Sequence, residues 1–207
     1  AMWLEADCNL SSGESIVRQI LYGKRYFREQ FGKESKVLWL PDAFGYTAAL
    51  PQILRKCGIE WFVTSKISWN DTDRMPHDVF LWRGTDGSEI PAYFLTAQDK
   101  VRGHEPERYT TYIGMAEPRQ AAGTWERFQD KGITDAAINT YGYGDGGGGP
   151  TAEHIEKLRR MERGVRGCVC VKTQTVGEFL AYTAKKTAGK LPVCEGELYL
   201  EYHRGTY

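Results

Sequence analysis

The sequence lacks several features that would assign it to a protein class at once. No window approaches the ~18 consecutive apolar residues of a membrane span, and no signal-peptide pattern is visible at its start. Lysine plus arginine and aspartate plus glutamate number 27 each, so the formal net charge is zero. This balance argues against nucleic acid or an anionic membrane as a partner held by bulk charge. Internal repeats and low-complexity linkers are also missing, and 207 residues can bury one sizeable core, so we expect a single domain over residues 1–207.

Cysteine is scarce and odd in number. The five cysteines are scattered along the chain, at Cys8, Cys57, Cys168, Cys170 and Cys194. No second Cys/His pair lies at zinc-site spacing from the Cys168–Cys170 pair. We therefore predict five unpaired thiols in a reducing compartment, and the expected location is cytoplasmic.

Strand and helix patterns alternate along the chain. Apolar or alternating runs predict strands at 37–40, 61–64, 79–82, 90–95, 136–141, 168–172 and 198–202, the third and fourth forming a hairpin through Asp86-Gly87. The first predicted helix begins at a capping box of Ser11 with Glu14 and ends at Gly32. Four further helices are predicted over 48–57, 118–131, 151–163 and 176–186. Pro150 is expected as the first residue of the helix at 151–163, and a Thr175–Glu178 capping box begins the last. This alternation predicts an α/β fold, a mostly parallel sheet with covering helices, either open or closed into a barrel.

Asp42 is the first candidate for chemistry. It follows the apolar strand predicted at 37–40, and α/β enzymes build their sites at the carboxyl ends of such strands. An aspartate at this place can equally cap the next helix or order the turn, so a structural role stays open.

Asp145 is the second candidate and lies in a run rich in glycine, 142–149. No Lys-Ser/Thr pair follows at the P-loop position, so nucleotide binding is not favoured. Because the strand predicted at 136–141 precedes it, we expect Asp145 at the same sheet edge as Asp42. Two carboxylates at one edge are what a retaining glycosidase requires. A flexible loop with a capping aspartate is the alternative.

Three separated runs resemble the α-mannosidases of glycoside hydrolase family 38, and most closely their bacterial and cytosolic branch. They are Pro41-Asp42-x-Phe44-Gly45-Tyr46-x-Ala48-x-Leu50-Pro51-Gln52-Ile53, Gly144-Asp145-Gly146-Gly147-Gly148-Gly149-Pro150-Thr151, and Gly196-Glu197-Leu198-Tyr199-x-Glu201-x-His203-Arg204-Gly205-Thr206-Tyr207. The resemblance covers essentially the whole chain, and residues 66–70 and 80–82 are similar to the family's substrate-side loops.

The resemblance implies retaining hydrolysis of terminal α-linked mannose from α-mannoside glycans, on a (β/α)7-type barrel that is incomplete here at its N-terminus. It implies one zinc ion, or another divalent ion, per site in the full-length parent protein. Asp42 would be both nucleophile and metal ligand, Asp145 the acid/base, and His203 a further metal ligand. The residues expected to contact substrate are Lys66, Trp69, Asn70 and Trp82.

One departure from the family pattern limits this expectation. None of the 4 histidines is followed two positions later by aspartate, so the family's His-x-Asp metal ligands are absent. We therefore expect the chain to be a central fragment of the barrel that is inactive alone, binds zinc weakly and self-associates, which leaves a homo-oligomer open. The alternative is a non-catalytic carbohydrate- or partner-binding remnant of the same fold. A zinc-dependent deacetylase is weaker, since no His-x-x-x-His pair occurs.

Overall fold

The computed structural model describes residues 1–70, 72–98 and 109–200. In chain order the elements are α1 (Gly13–Phe31), β1 (Val37–Trp39), α2 (Leu50–Lys56), β2 (Trp61–Thr64), a short 3₁₀ helix (Lys66–Ser68), β3 (Val79–Arg83), β4 (Glu89–Phe94), α3 (Pro118–Arg127), α4 (Ala152–Met161), α5 (Val176–Thr187) and β5 (Val193–Glu195). They divide into a first unit, residues 1–94 and 191–207, and a second unit, residues 95–190. Within the described residues, no helix is long and apolar enough to cross a membrane.

The first unit contains one sheet in the order β1-β2-β4-β3-β5. Its pairings are parallel except for the antiparallel β3–β4 hairpin, which turns through Gly87 at a φ of 82°. A positive φ suits glycine because it has no Cβ. The predicted fold class, a mostly parallel α/β sheet with helices, is confirmed. The strands of the described residues form an open sheet, and they do not close into a barrel.

The core of the first unit lies where the sheet meets its helices. All four residues of β2 are buried, as expected for a central parallel strand. Helix α1 buries Ile16 and Ile20 in the same hydrophobic cluster as the sheet. Gly32 ends α1 in the left-handed conformation at a φ of 61°, as predicted. The N-cap is Ser12, one residue later than predicted, because its side chain accepts the Ser15 amide.

The second unit contains α3, α4 and α5, and the Thr175–Glu178 capping box of α5 is confirmed. Helix α3 ends at Arg127, short of the predicted 131, because the backbone turns extended at Phe128. Pro150 is not the first residue of α4, since Thr151 is the N-cap and completes a capping box with His154.

The strands predicted at 136–141 and 168–172 are wrong, because neither segment pairs with a neighbouring strand. In the first, the Asn139 side-chain amide donates to the Met115 carbonyl oxygen at 3.2 Å. In the second, the Cys168 thiol donates a hydrogen bond to the Pro118 carbonyl oxygen. Strand β5 was not predicted, and the described part of 198–202 contributes an isolated bridge from Leu198 to Tyr46 instead. None of the five cysteines forms a disulfide bond.

Candidate functional site

Asp42 lies just beyond β1, in the turn that leads towards α2. The strand-like pairing continues to Leu40, whose amide donates to the Val63 carbonyl oxygen at 3.0 Å. Since β1 and β2 are parallel, the residues that follow both strands meet at one sheet edge. Lys66, two residues after β2, is therefore brought next to Asp42.

The Asp42–Lys66 pair is the electrostatic centre of this edge. Lys66 Nζ lies 3.5 Å from Asp42 Oδ1, and the Lys66 side chain is 7% exposed while that of Asp42 is 34% exposed. The ammonium also lies 3.7 Å from the centroid of the Trp69 ring and 5.9 Å from that of Phe44. A buried cation needs such partners, and here a carboxylate and two aromatic faces supply them.

Two hydroxyl groups contact the backbone of the Asp42 turn, and a third contacts one of these two. Ser65 Oγ donates to the Pro41 carbonyl oxygen at 2.7 Å. The hydroxyl of the fully buried Tyr46 lies 2.9 Å from the Leu40 carbonyl oxygen, 2.8 Å from that of Ala43 and 2.5 Å from Thr64 Oγ1. The sequence analysis named Tyr46 only as a member of a motif, without a role, and it missed Thr64 and Ser65. Their contacts join positions as far as 24 residues apart, which no local pattern shows.

Glu5 is a further acidic group near Asp42. Burial, and then the negative charge of Asp42, raise the pKa of the Glu5 carboxyl above its usual value. Cys8, three residues on, forms a parallel bridge with Tyr46, and burial raises the pKa of its thiol to about 12. The sequence analysis did not select Glu5, because no strand or turn signal marked its segment as part of the site.

Of the expected substrate residues, Trp69 and Asn70 lie close to Lys66 in the chain and are both buried. The Lys66 ammonium covers one face of the Trp69 ring. The Asn70 side-chain oxygen accepts the amides of Thr72 at 2.9 Å and Asp73 at 2.6 Å, which orders the following turn. Whether either residue also meets substrate stays a prediction.

Trp82 differs from the expectation of a sugar contact. It is fully buried in β3, and its indole N–H donates to the Gly196 carbonyl oxygen at 2.7 Å. Its ring packs 5.2 Å from that of Phe62. The structure thus gives Trp82 a core position that supports the sheet beneath the site, because a fully buried ring has no face to offer a ligand.

Asp145 lies in the second unit, in an exposed loop whose two ends are joined by a backbone hydrogen bond. The Tyr143 amide donates to the Gly149 carbonyl oxygen at 2.9 Å, and Asp145 has a φ of 47°, unusual for a residue with a side chain. At Gly148 a Cβ would lie 2.9 Å from the Cβ of Tyr143, so glycine allows the two ends of the loop to approach this closely. The expectation that a strand at 136–141 leads to Asp145 is corrected, since the described segment forms none.

The Asp145 loop is joined to α4 through His154. This buried side chain accepts the Thr151 amide on Nδ1 at 3.3 Å, and its ring lies 5.4 Å from that of Tyr143. A ring packed against the loop and bonded to the helix start fixes one relative to the other. The sequence analysis missed His154, because the residue that completes a capping box at this position is usually glutamate or glutamine.

Only one of the two predicted metal ligands, Asp42, lies among the described residues. Asp42 offers a part-exposed carboxylate, whereas His203 lies outside the described residues. In the part of the chain that the structure describes, no group of three or more His, Cys, Asp or Glu side chains is gathered as a metal site would need. The chemistry of a carboxylate and an imidazole suits zinc, but these residues do not make a complete site.

Comparisons with known proteins define the class to which this fold and edge site belong. Residues 1–197 match the family described as "Glycosyl hydrolases family 38 N-terminal domain". The chain therefore belongs to glycoside hydrolase family 38, and the resemblance inferred from the sequence is confirmed.

The relatives give the comparison more detail. The chain is 40% identical over 205 residues to "Alpha-mannosidase G" of Dictyostelium discoideum and 41% identical over 212 residues to "Alpha-mannosidase" of Saccharomyces cerevisiae. Each alignment covers 99% of this chain and 18% of the relative, so the chain spans about a fifth of their length. A crystal structure of an α-mannosidase from Enterococcus faecalis V583 has a TM-score of 0.68 at 16% identity, covering 95% of this chain and 21% of that one, which shows the shared fold.

Proposed function

We propose that the full-length protein containing this chain is a retaining α-mannosidase that removes terminal α-linked mannose from glycans with the help of a divalent metal ion. The observation that carries this proposal is the similarity, over 99% of the chain, to relatives named as α-mannosidases. The Asp42–Lys66 pair supports it, because a carboxylate held by a buried cation at the carboxyl edge of a parallel sheet suits a nucleophile. Resemblance to the cytosolic branch makes the cytoplasm the proposed compartment.

In the proposed reaction Asp42 is the nucleophile and Asp145 is the general acid and base. A carboxylate oxygen of Asp42 attacks the anomeric carbon, the glycosidic C–O bond breaks, and the departing oxygen takes the proton of Asp145. Water then attacks the same carbon, Asp145 takes a proton from that water, and the bond to Asp42 breaks. Two inversions at the anomeric carbon give net retention.

The proposed zinc ion would be held by Asp42 and His203, with its remaining ligands from residues beyond this donor pair. When bound, such an ion polarises oxygen atoms of the substrate as a Lewis acid. Lys66 pairs with the Asp42 carboxylate, and the Trp69 and Phe44 rings pack near the largely buried ammonium.

The function is tested on the full-length protein with an aryl α-mannoside. We expect turnover that is lost with a chelator and restored by zinc, and a product that first appears as the α-anomer by NMR. Asp42→Asn is the control for background hydrolysis. Mannoside binding without turnover in the metal-loaded protein would contradict the proposal and favour the non-catalytic remnant.

The properties of residues 1–207 on their own are tested separately. We propose that residues 1–207 alone are inactive on α-mannosides, bind zinc weakly and self-associate, because two predicted ligands leave most of the zinc coordination to water. Isothermal titration with zinc and light scattering measure these properties. A monodisperse monomer that binds zinc tightly and turns over substrate would contradict this proposal.

A further inference from the structure

We propose that Tyr46 is a positioning residue that holds the backbone on both sides of Asp42. The inference rests on the proposed role of Asp42 as nucleophile and concerns how its carboxylate is kept in place. Tyr46 is fully buried, so its side chain does not touch substrate and acts through the turn.

The Tyr46 hydroxyl is placed to join both flanks of the turn. It lies 2.9 Å from the carbonyl oxygen of Leu40, two residues before Asp42, and 2.8 Å from that of Ala43, the residue after it. A phenol has one proton and also lone pairs, so the Tyr46 hydroxyl shares its proton between the two carbonyl oxygens and accepts from the Thr64 hydroxyl. Burial raises the pKa of Tyr46 well above its usual value, which keeps the donor proton in place.

Tyr46 is itself fixed from two directions. Its amide donates to the Leu198 carbonyl oxygen, and the Leu198 amide donates back to the Tyr46 carbonyl oxygen, both at 3.0 Å. Its ring packs edge-on against Phe62 at 4.8 Å. Because backbone and ring are both held, the hydroxyl is a rigid point from which the turn can be oriented.

The same hydroxyl connects the Asp42 turn to the segment that carries Lys66. Thr64 Oγ1, 2.5 Å from the Tyr46 hydroxyl, belongs to the last residue of β2, and Ser65 and Lys66 follow directly. The Tyr46–Thr64 contact therefore sets the geometry of the Asp42–Lys66 pair. A displacement of about 1 Å at a reacting group costs on the order of 100-fold in rate, so this link should matter for kcat.

The test uses the full-length protein and four variants. Tyr46→Phe and Thr64→Val each remove one hydroxyl with little change of shape, while Thr64→Ser keeps the hydroxyl. Phe128→Leu is the matched control, because it removes packing from the stacked Trp125–Phe128 contact in the second unit, whereas the turn lies in the first. Values of kcat and KM on an aryl α-mannoside are measured with the thermal midpoint of each variant.

We expect Tyr46→Phe and Thr64→Val to lower kcat about 10- to 100-fold with KM changed less than about threefold, because the turn moves while the binding surface remains. Thr64→Ser should stay within about threefold of the unchanged protein. Phe128→Leu should lower the thermal midpoint and leave kcat nearly unchanged, which separates positioning from loss of stability.

Amide hydrogen exchange supplies a readout that does not depend on activity. Tyr46→Phe should speed exchange in peptides covering residues 40–47 and 64–69, and Phe128→Leu should not. Wild-type kcat together with unchanged exchange in Tyr46→Phe would overturn the inference. An unchanged protein without α-mannosidase activity would instead contradict the proposed function, and the exchange data would still decide whether the hydroxyl orders the turn.

Discussion

Replacing Lys66 by methionine is the sharpest test of the electrostatics at the site. The substitution keeps most of the side-chain volume and removes the charge. At 3.5 Å and an effective dielectric constant of about 20, two unit charges attract by about 5 kcal/mol. Water reaches the one-third exposed Asp42 side chain, and burying an ammonium costs several kcal/mol, so the net value is smaller.

We take about 1.5–3 kcal/mol as the net interaction between the buried cation and its carboxylate. If it supports the reacting position of Asp42, its loss lowers kcat/KM about 10- to 100-fold in the full-length protein. Steady-state kinetics on an aryl α-mannoside measure this directly.

The matched control is Lys36→Met. Lys36 Nζ lies closer to its partner Glu60, at 2.6 Å, but the two side chains are 58% and 55% exposed. Surface pairs contribute little, so kcat/KM should stay within about twofold. If distance rather than burial decided the effect, Lys36→Met would be the more damaging change. Equal kcat/KM values for the two variants would refute the reasoning and make Lys66 a loop lysine.

Further predictions concern the two carboxylates and the thiols. Asp42→Asn should remove most of kcat and weaken zinc retention, since one side chain is proposed to serve as nucleophile and ligand; near-normal turnover with bound zinc would contradict this. Asp145→Ala should damage natural glycosides more than activated aryl mannosides, with partial rescue by azide, because a general acid matters most for poor leaving groups; equal damage without rescue would indicate a structural aspartate. Burial raises the pKa of Cys8 to about 12, so at pH 8 it is almost wholly protonated and should react with a thiol reagent far more slowly than exposed Cys170; mass spectrometry of the native protein would show equal labelling if this is wrong.

Asp42 and Asp145 show how far sequence reasoning reached into the candidate site. The sequence identified Asp42 from a strand-end pattern and Lys66 from a family loop, and the structure brings these two together. For Asp145 the motif identified the residue, but the predicted strand before it was wrong, because alternating residues form a strand only where another strand lies beside them. Trp82 shows the reverse error, since a motif residue became part of the core.

What the sequence determined by itself was local. The Thr175–Glu178 capping box, the left-handed Gly32 and the bounds of β2 depend on neighbours a few positions away or on an unbroken apolar run.

Only the tertiary structure decided the contacts between distant positions. Strand β5 pairs with β3 across more than a hundred residues, and the Trp82 indole reaches Gly196 at a separation of 114. The Tyr46 hydroxyl meets Thr64, 18 positions on, at the edge where Asp42 lies. Such contacts follow from the order of strands in the sheet, which the residues specify jointly through packing and which no short window contains.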